Sequence, residues 1–400
     1  MKMIAKPEFF FWWAVCLLQL LQYTVFQSFV AAEDGLLANG DFETSPAVSF
    51  HNGTSVEGVE SLPSWRIQGT VEYIKEGQNQ GNMLLVVPEG SHAARLGNDA
   101  QISQAISLEK GSTYSLTFSA ARTCAQLESL NVSVPPVTTN VDLQTLYNIH
   151  GWDAYAWAFK AESDNAEIIF RNPGMEEDPT CGPIIDAVAI KQIVAPEKSK
   201  ENAVVNGDFE EGPWMFRNAS LGVLLPTNLD AETSPLPGWI VESNKAVRYV
   251  DSNHFAVPEG KRAIELLSGK EGIISQMVET VAGKTYSLSF LLGDAGDLCQ
   301  EPLAVMAFAG DQEENIHYTS PSPRRYEASN ITFTAKAERT RIAFYSIYYN
   351  TRVVDKSSLC GPVIDQVKVT DLSKSAAAYS GRFSTLVLAI VPMLWVLVSL

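Results

Sequence analysis

The chain has 400 residues, of which 46% are hydrophobic and 19% are charged, and its formal net charge at pH 7 is −17. This length exceeds what one ordinary hydrophobic core organises, and the hydrophobic fraction excludes a disordered chain, so two globular domains are expected. The acidic charge argues against nucleic acid and anionic lipid as partners, because like charges repel. Basic proteins and neutral polymers are the partner classes that it favours.

Residues 1–32 are predicted to be a secretory signal. Lys2 and Lys6 precede an apolar run, and two alanines at 31–32 stand before "EDG". This is the order of a charged region, a hydrophobic region and a cleavage site. The alternative, an N-terminal membrane anchor, is disfavoured because glutamines interrupt the apolar run.

After residue 32 the sequence contains two copies of one unit. The repeated blocks are NGDFE at Asn39 and Asn206, LPSW and LPGW at Leu62 and Leu236, VPEG at Val87 and Val257, and CGPIID and CGPVID at Cys181 and Cys360. Their order is kept while their spacing drifts, which indicates a duplication with insertions in loops. The stretch 194–202 carries a proline and several charges without apolar periodicity, so it is predicted to link domains 33–193 and 203–371.

Within each copy the local pattern predicts β-strands. "TYSLTFSA" and "TYSLSFLL" alternate apolar and polar residues between turn residues, as do "AEIIF" and "RIAFYSIYY". A helical stripe is suggested only over 141–148. Many short strands separated by turn signals favour an all-β class, with an antiparallel sandwich or jelly roll in each domain.

Four cysteines remain once Cys16 is removed with the signal, and they allow three pairings. Equivalent positions in duplicated domains favour one disulfide bond between Cys124 and Cys181 and another between Cys299 and Cys360. Metal binding and nucleophilic roles are disfavoured, because no CxxC motif occurs and secretion exposes the chain to an oxidising environment.

Four sequons lie between the two terminal signals. In a secreted chain they are predicted sites of N-glycosylation at the surface. They are Asn52, Asn131, Asn218 and Asn330.

The segment "HGWDAYAWAF" of the first copy is the predicted sugar-binding strand. If it is extended, Asp153, Tyr155 and Trp157 share one face. Aromatic rings stack on the apolar faces of sugars, and carboxylates accept hydrogen bonds from hydroxyls. In the second copy Ser329 and Ile331 stand where the first has Tyr155 and Trp157, so the first domain is the predicted ligand site. The alternative is that these aromatic residues are core.

The C-terminal segment 372–400 matches a signal for a GPI lipid anchor. Small residues and a short polar spacer precede an apolar tail at 386–400. A transmembrane helix usually needs about 20 apolar residues and a basic flank. The predicted attachment residue is Ser375, with Ser373 and Ala376 as near alternatives, and the mature protein would then keep no membrane-spanning segment.

The repeated blocks resemble those of a plant cell-wall family known as domain of unknown function 642. "DGLLANGDFE", the two stretches that begin LPSW and LPGW, and the paired CGPIID and CGPVID carry the resemblance, which covers nearly all of the chain between the two signals. It implies two tandem galactose-binding-like jelly-roll β-sandwiches and secretion to the cell wall. It also implies association with wall polysaccharides and with pectin methylesterase, without catalytic activity. The apolar tail resembles the anchored minority of the family, which implies the outer face of the plasma membrane.

The resemblance also implies a structural calcium site in each domain. In galactose-binding-like modules of carbohydrate-binding proteins, an acid of the first strand meets an aspartate of the last strand around Ca²⁺. By motif this pairs Glu43 with Asp186 and Glu210 with Asp365, which are hard oxygen ligands that suit calcium. The alternative is that each carboxylate accepts backbone N–H groups in a turn. A glycosidase pair is disfavoured, because both copies carry the identical acids in predicted core strands.

The expected function is therefore that of a non-catalytic, glycosylated, lipid-anchored wall protein that binds polysaccharide of the cellulose or pectin type. The alternative is a protein-interaction module that docks on a wall enzyme such as pectin methylesterase and modulates it, its acidic charge meeting a basic partner. No hydrolase elbow, metalloprotease motif or phosphate loop occurs in the sequence, so no enzyme is predicted. Contact with the membrane through the lipid anchor alone is expected.

Overall fold

The computed structural model describes most of the chain between the two predicted signals. The described residues are 35–46, 62–80, 83–124, 128–174, 181–199, 201–215, 221–242, 245–319 and 326–373. The predicted signal at 1–32, the sequons at Asn52 and Asn218 and the attachment residue Ser375 lie outside them. Within these ranges no helix is both long enough and apolar enough to cross a membrane.

The regular structure is almost entirely β-strand, as the alternating patterns predict, with a short 3-10 helix, η1, at Gly269–Glu271. The first twelve strands are β1 (Arg66–Gln68), β2 (Val71–Lys75), β3 (Asn79–Gln80), β4 (Met83–Leu84), β5 (His92–Leu96), β6 (Gln101–Ser107), β7 (Thr113–Ala121), β8 (Ser129–Val134), β9 (Val137–Asp142), β10 (Trp152–Lys160), β11 (Asn165–Arg171) and β12 (Ile184–Ile193). The remaining strands are β13 (Val223–Leu225), β14 (Ile240–Val241), β15 (Val247–Asp251), β16 (Arg262–Leu266), β17 (Ile273–Glu279), β18 (Thr285–Asp294), β19 (Leu303–Ala309), β20 (Gln312–Tyr318), β21 (Tyr326–Thr334), β22 (Arg339–Ser346) and β23 (Pro362–Asp371).

The chain divides into two compact units. Unit 1 comprises Met1–Glu109, Ala121–Asp142 and Ser163–Lys191, and unit 2 comprises Lys110–Ala120, Leu143–Glu162 and Gln192–Leu400. Most of β7 and all of β10 therefore group with unit 2, although they belong to the first sequence copy. The predicted domain bounds, 33–193 and 203–371, stay a prediction.

Unit 1 contains a five-stranded sheet in the order β1-β6-β11-β8-β9, and its other strands include the neighbours β2-β5-β12. The pairings within these two groups are antiparallel. Along β8 buried and half-buried residues alternate, so one face of the five-stranded sheet is buried and the other is outward. In the core, the buried Trp65 ring lies 5.6 Å from Phe42 and 6.2 Å from Phe170.

Unit 2 has an equivalent five-stranded sheet, β14-β17-β22-β19-β20, and a larger one that includes β7-β10-β13-β15-β16-β23-β18-β21. Trp239 is fully buried, with its ring 5.2 Å from Phe209 and 6.4 Å from Phe344. Its indole N–H donates to the Asn206 carbonyl at 3.0 Å. Trp65 bonds Asn39 in the same way at 2.9 Å. The tryptophan of each LPxW block thus anchors the NGDFE block. The strands and sheets of the two units together confirm the predicted fold class of tandem β-sandwiches.

Both predicted disulfide bonds are present. Cys124 pairs with Cys181 and Cys299 pairs with Cys360, and the Cα atoms of each pair are 5.6 Å apart. Each bridge ties the segment that follows a long central strand to the start of the last strand of its copy, which explains why the CGPIID and CGPVID blocks recur.

Candidate functional site

In unit 1 two predicted calcium ligands hold the VPEG turn. Glu43 Oε1 accepts the backbone N–H groups of Ser91 at 2.6 Å and His92 at 2.9 Å. Asp186 Oδ2 accepts the N–H of Glu89 at 2.9 Å, and its Oδ1 accepts that of the next residue at 2.7 Å. The turn therefore joins the first block of the copy to its last strand.

Unit 2 repeats this arrangement bond for bond. Glu210 Oε1 accepts the N–H groups of Lys261 at 2.5 Å and Arg262 at 3.2 Å. Asp365 Oδ2 accepts the N–H of Glu259 at 2.9 Å, and its Oδ1 accepts that of the next residue at 2.7 Å. Identical contacts in both copies indicate a shared structural role.

The two aspartates of these turns are fully buried. Burial raises the pKa of Asp186 well above its usual range, against the opposing effect of its backbone N–H donors. Burial likewise raises the pKa of Asp365 to about 8, with Glu210 and Asp208 adding to the rise. The neutral form of Asp365 is therefore favoured in mild acid.

This geometry does not fit a calcium cage built from side chains. Among the described residues, three ligand atoms lie within 4.8 Å of one another only around the two disulfide bonds, at Cys124, Glu128 and Cys181 and at Asp297, Cys299 and Cys360. The carboxylates of the VPEG turns form no such group, and their contacts match the alternative of backbone N–H acceptors. Calcium binding stays a prediction.

The predicted sugar-binding residues of β10 are mostly inside the protein. Asp153 is 2% exposed and Tyr155 is 4% exposed, whereas Trp157 is half-buried. Asp153 accepts hydrogen bonds from the Asn148 amide and from the Tyr155 hydroxyl, and Lys245 Nζ lies 5.2 Å from the centre of the Tyr155 ring. These contacts form a buried polar cluster within unit 2, and their role in ligand binding stays a prediction.

The outward face of the β14-β17-β22-β19-β20 sheet in unit 2 carries aromatic residues that the sequence patterns did not single out. Register places Tyr345 of β22 between Ile273 of β17 and Met306 of β19. The Phe308 ring lies beside that of Tyr345, with centroids 5.6 Å apart and planes inclined by 39°. All four side chains are half-buried. We call Ile273, Met306, Phe308 and Tyr345 the aromatic end of this face.

The same face has a polar end made of Glu242, Ser275 and Arg341. Glu242 Oε1 accepts hydrogen bonds from Ser275 Oγ at 2.5 Å and from Arg341 Nη2 at 2.6 Å. Partial burial alone would raise the pKa of Glu242, but these two donors outweigh it and lower the pKa. The carboxylate is therefore ionised and held in place.

Unit 1 has a similar polar end, but its acid lies on β11 instead of next to the first strand of the sheet. Glu167 Oε1 accepts hydrogen bonds from Ser103 Oγ at 2.8 Å and from Arg66 Nη1 at 3.2 Å. Ser103 and Ser275 occupy the same place in the repeated ISQ block, and each pairs across the sheet with the first strand of its copy. The two outward faces are thus built on one plan.

Unit 1 lacks the aromatic end. Gln101 precedes the ISQ block as Ile273 does, so the pairing of β6, β11 and β8 can be matched to that of β17, β22 and β19. The equivalences read from register are Arg171 for Tyr345, Asn131 for Met306 and Ser133 for Phe308. The aromatic end is therefore particular to unit 2.

Sequence reasoning missed this face because three separate strands supply it. The alternation in "LAVMAFA" and "RIAFYS" was visible, with small or aliphatic residues alternating with larger ones. Each strand taken singly shows no more than an ordinary half-buried strand, and only the register brings Tyr345 and Phe308 together.

The comparisons with known proteins agree on a family. A family model described as protein of unknown function (DUF642) matches residues 35–191 and 202–370. Protein DUF642 L-galactono-1,4-lactone-responsive gene 2 of Arabidopsis thaliana is 52% identical over 348 residues, which is 87% of this chain and 94% of that protein. Its Arabidopsis relative, protein DUF642 L-galactono-1,4-lactone-responsive gene 1, is 51% identical over 341 residues, or 85% and 92% of the two chains.

Likeness to solved structures is weak. The tandem CBM22-1-CBM22-2 domain of Paenibacillus barcinonensis Xyn10C aligns with 81% of this chain and 100% of its own, at 13% identity and a TM-score of 0.26. That score supports no conclusion about the ligand.

Proposed function

This chain belongs to the DUF642 family, and we propose on that premise that it is a non-catalytic, secreted and lipid-anchored protein of the plant cell wall that binds polysaccharide. We place the binding surface on the outward face of the β14-β17-β22-β19-β20 sheet. The observation that carries the proposal is the aromatic end, which lies beside fixed polar groups on an outward sheet face.

The chemistry of the aromatic end suits a sugar chain. The C–H faces of pyranose rings are apolar, and they pack on aromatic rings and on the thioether of methionine. Tyr345 and Phe308 supply two neighbouring rings, and Lys270 Nζ lies 5.7 Å from the centre of the Tyr345 ring. A cation beside the rings can donate hydrogen bonds to sugar hydroxyls.

The polar end would fix the orientation of the chain. Arg341 and Glu242 are already bonded to each other, so little side-chain entropy is lost when they meet sugar hydroxyls. Their opposite charges leave this end close to neutral, and the whole chain carries a net charge of −17. Both features favour a neutral glycan such as a β-glucan over a polyuronate.

The electrostatics of this face also support a binding role over catalysis. A glycosidase needs one carboxyl group with a raised pKa beside a second, ionised one. The pKa of Glu242 is lowered. The described carboxyl groups with raised pKa values, which include Asp153, Asp186 and Asp365, lie on other strands, where they are buried.

The test is a binding assay on insoluble cellulose and on pectins with the secreted protein. We expect the Tyr345→Ala, Phe308→Ala double variant to bind cellulose at least ~10-fold more weakly, because two stacking contacts are lost. Trp157→Ala, at a half-buried aromatic residue of unit 2 on another sheet, compares this surface with the one predicted from the sequence: it should bind as the wild type does, and weaker binding would place the site on β10 instead.

Salt separates this function from docking on a basic protein. Stacking on a neutral glycan should persist at high ionic strength, whereas charge-steered binding weakens. A wild-type protein that stays in solution with every polymer would contradict the proposal. Salt-sensitive binding to a basic enzyme such as pectin methylesterase would then support the interaction function instead.

A further inference from the structure

We propose that an N-linked glycan on Asn131 covers the outward face of unit 1, so that polysaccharide is bound by unit 2 alone. Confinement of polysaccharide binding to unit 2 rests on the proposed function, whereas the glycan on Asn131 does not.

The sequon Asn131-Val132-Ser133 lies on β8 with its acceptor pointing outward. Burial alternates along this strand, where Val132 is fully buried while Asn131 and Ser133 are half-buried. Register places Asn131 between Arg171 of β11 and Asn140 of β9. Neighbouring strands are ~4.8 Å apart, so the first sugar on Asn131 would lie over the strands on both sides.

The sequon takes the positions that form the aromatic end in unit 2. Asn131 corresponds to Met306 and Ser133 to Phe308, by the pairing of β8 with β11 and of β19 with β22. The hydroxyl that a sequon requires therefore stands where unit 2 has a phenyl ring. The same two positions make a glycan acceptor in one copy and a stacking surface in the other.

The neighbouring residues of unit 1 are consistent with cover by a polar glycan. Arg171 replaces Tyr345 there and is 51% exposed in its side chain, with a hydrogen bond to Asp99 at 2.8 Å. Asn140 of the adjacent strand is exposed. A surface of amides, hydroxyls and guanidinium groups can donate hydrogen bonds to an attached sugar chain.

The second described sequon leaves the aromatic end open. Asn330 is exposed on β21, the last strand in the order of the other sheet of unit 2, where it pairs with Ser289. A glycan there would project from a sheet that does not contain Tyr345 or Phe308. Of the sequons within the described residues, only the one at Asn131 lies on an outward five-stranded face.

The modification is an ordinary group transfer of the secretory pathway. The Asn131 amide nitrogen bonds to the anomeric carbon of an oligosaccharide carried on a lipid diphosphate. The nitrogen loses one proton and the lipid diphosphate leaves. Transfer to the extended chain before β8 pairs with β9 would give the enzyme access to the acceptor.

Glycopeptide mass spectrometry of the full chain secreted by plant cells tests the modification. We expect the peptide that contains Asn131 to carry an oligosaccharide, and Ser133→Ala to lose that mass while Asn330 keeps its own. A secreted protein whose Asn131 is unmodified would overturn the proposal.

Cover of the face is tested by hydroxyl-radical footprinting of the same two proteins. Labelling of Ile169, which pairs with Ser133 across the sheet, should rise severalfold in Ser133→Ala, while labelling of Met277 in unit 2 should not change. Equal labelling of Ile169 in both proteins would show that the glycan does not cover the face.

Confinement of binding to unit 2 is tested by the stoichiometry of a soluble cello-oligosaccharide. The wild type should bind one molecule per chain. The variant Asn131→Met, Ser133→Phe, Arg171→Tyr, which copies three of the four residues of the aromatic end into unit 1, should bind two. A wild-type stoichiometry of two would overturn the confinement. Absence of binding in every protein would contradict the proposed function, while the mass spectrum and the footprint would still decide the glycan.

Discussion

At the scale of single residues, each copy has an ion pair at an equivalent place, but the acid and the base are exchanged between the two strands. In unit 1 Glu72 of β2 faces Arg95 of β5, and in unit 2 Arg248 of β15 faces Glu265 of β16. The pairs occupy equivalent places, but their surroundings differ. The Glu72 side chain is 19% exposed, whereas those of Arg248 and Glu265 are 1% and 0% exposed. Arg248 also bonds Asp297 at 2.8 Å, so its guanidinium group lies between two buried acids.

The difference in burial predicts that removing the arginine lowers the free energy of unfolding by unequal amounts in the two units. Arg248→Met should lower the free energy of unfolding by ~3–5 kcal/mol, because it leaves Glu265 buried without its counter-charge. Arg95→Met is the matched control and should cost clearly less, since Glu72 keeps contact with water. Urea unfolding of both variants measures the two losses, and equal values would contradict this account.

Asp153 makes the stability of the protein depend on pH. Burial raises its pKa to about 6, from a usual value of 3.8, although Lys245 opposes the rise. A raised pKa in the folded state means that the neutral form stabilises the fold below pH 3.8 and that this contribution is lost as the pH rises through 6. The loss is at most ~3 kcal/mol, from the size of the shift.

We expect Asp153→Asn to remove this part of the pH dependence. The amide stays neutral, so the variant should gain stability relative to the wild type as the pH rises from 4 to 7. Thermal unfolding at several pH values measures the difference in Tm between the two proteins. A difference that does not change with pH would show that Asp153 is already ionised in mild acid.

Among the elements, the VPEG turn explains why its glycine recurs in both copies. Gly90 and Gly260 have φ values of +67° and +71°, in the left-handed region that favours glycine. A Cβ at Gly90 would lie 2.3 Å from Glu43 Oε1, and one at Gly260 would lie 2.1 Å from Glu210 Oε1. The missing side chain therefore makes room for the carboxylate that holds the turn.

This geometry predicts the effect of alanine in the turn. Gly90→Ala and Gly260→Ala should each destabilise the protein by more than ~1 kcal/mol, because strain in φ is added to the displacement of a carboxylate with two N–H donors. Gly77→Ala is the control, because Gly77 has a φ of +77° and a Cβ added there would have nothing within 4 Å. The control should show the backbone cost alone in thermal unfolding. A loss as small at Gly90 and Gly260 as at Gly77 would mean that the carboxylates move freely.

Across the described residues, the two copies share a set of structural contacts and differ at the aromatic end of their outward faces. The tryptophan anchors, the VPEG turns, the disulfide bonds and the polar ends occur in both. The aromatic end and the Asn131 sequon occupy equivalent strands and exclude each other. Core positions are constrained by packing on all sides, whereas outward positions are free to specialise.

Much of the fold could be read from the residues alone. The duplication, the all-β class and the disulfide pairing follow from repeated blocks, period-two alternation and equivalent cysteines, and these signals are local or depend only on symmetry. Glu43 and Asp186, which the resemblance pairs as calcium ligands, both accept backbone N–H groups of one VPEG turn, while calcium binding itself stays a prediction.

The candidate surface depended on the fold. A strand has two faces that look alike in sequence, and its partners decide which one meets water. Asp153 and Tyr155 alternate as a binding face would, yet β10 pairs with β13 at Tyr155, and both residues are buried. Tyr345, Met306 and Phe308 come together only through the register of β17, β22 and β19. Hydrogen bonds between strands make neighbours of residues that are far apart along the chain.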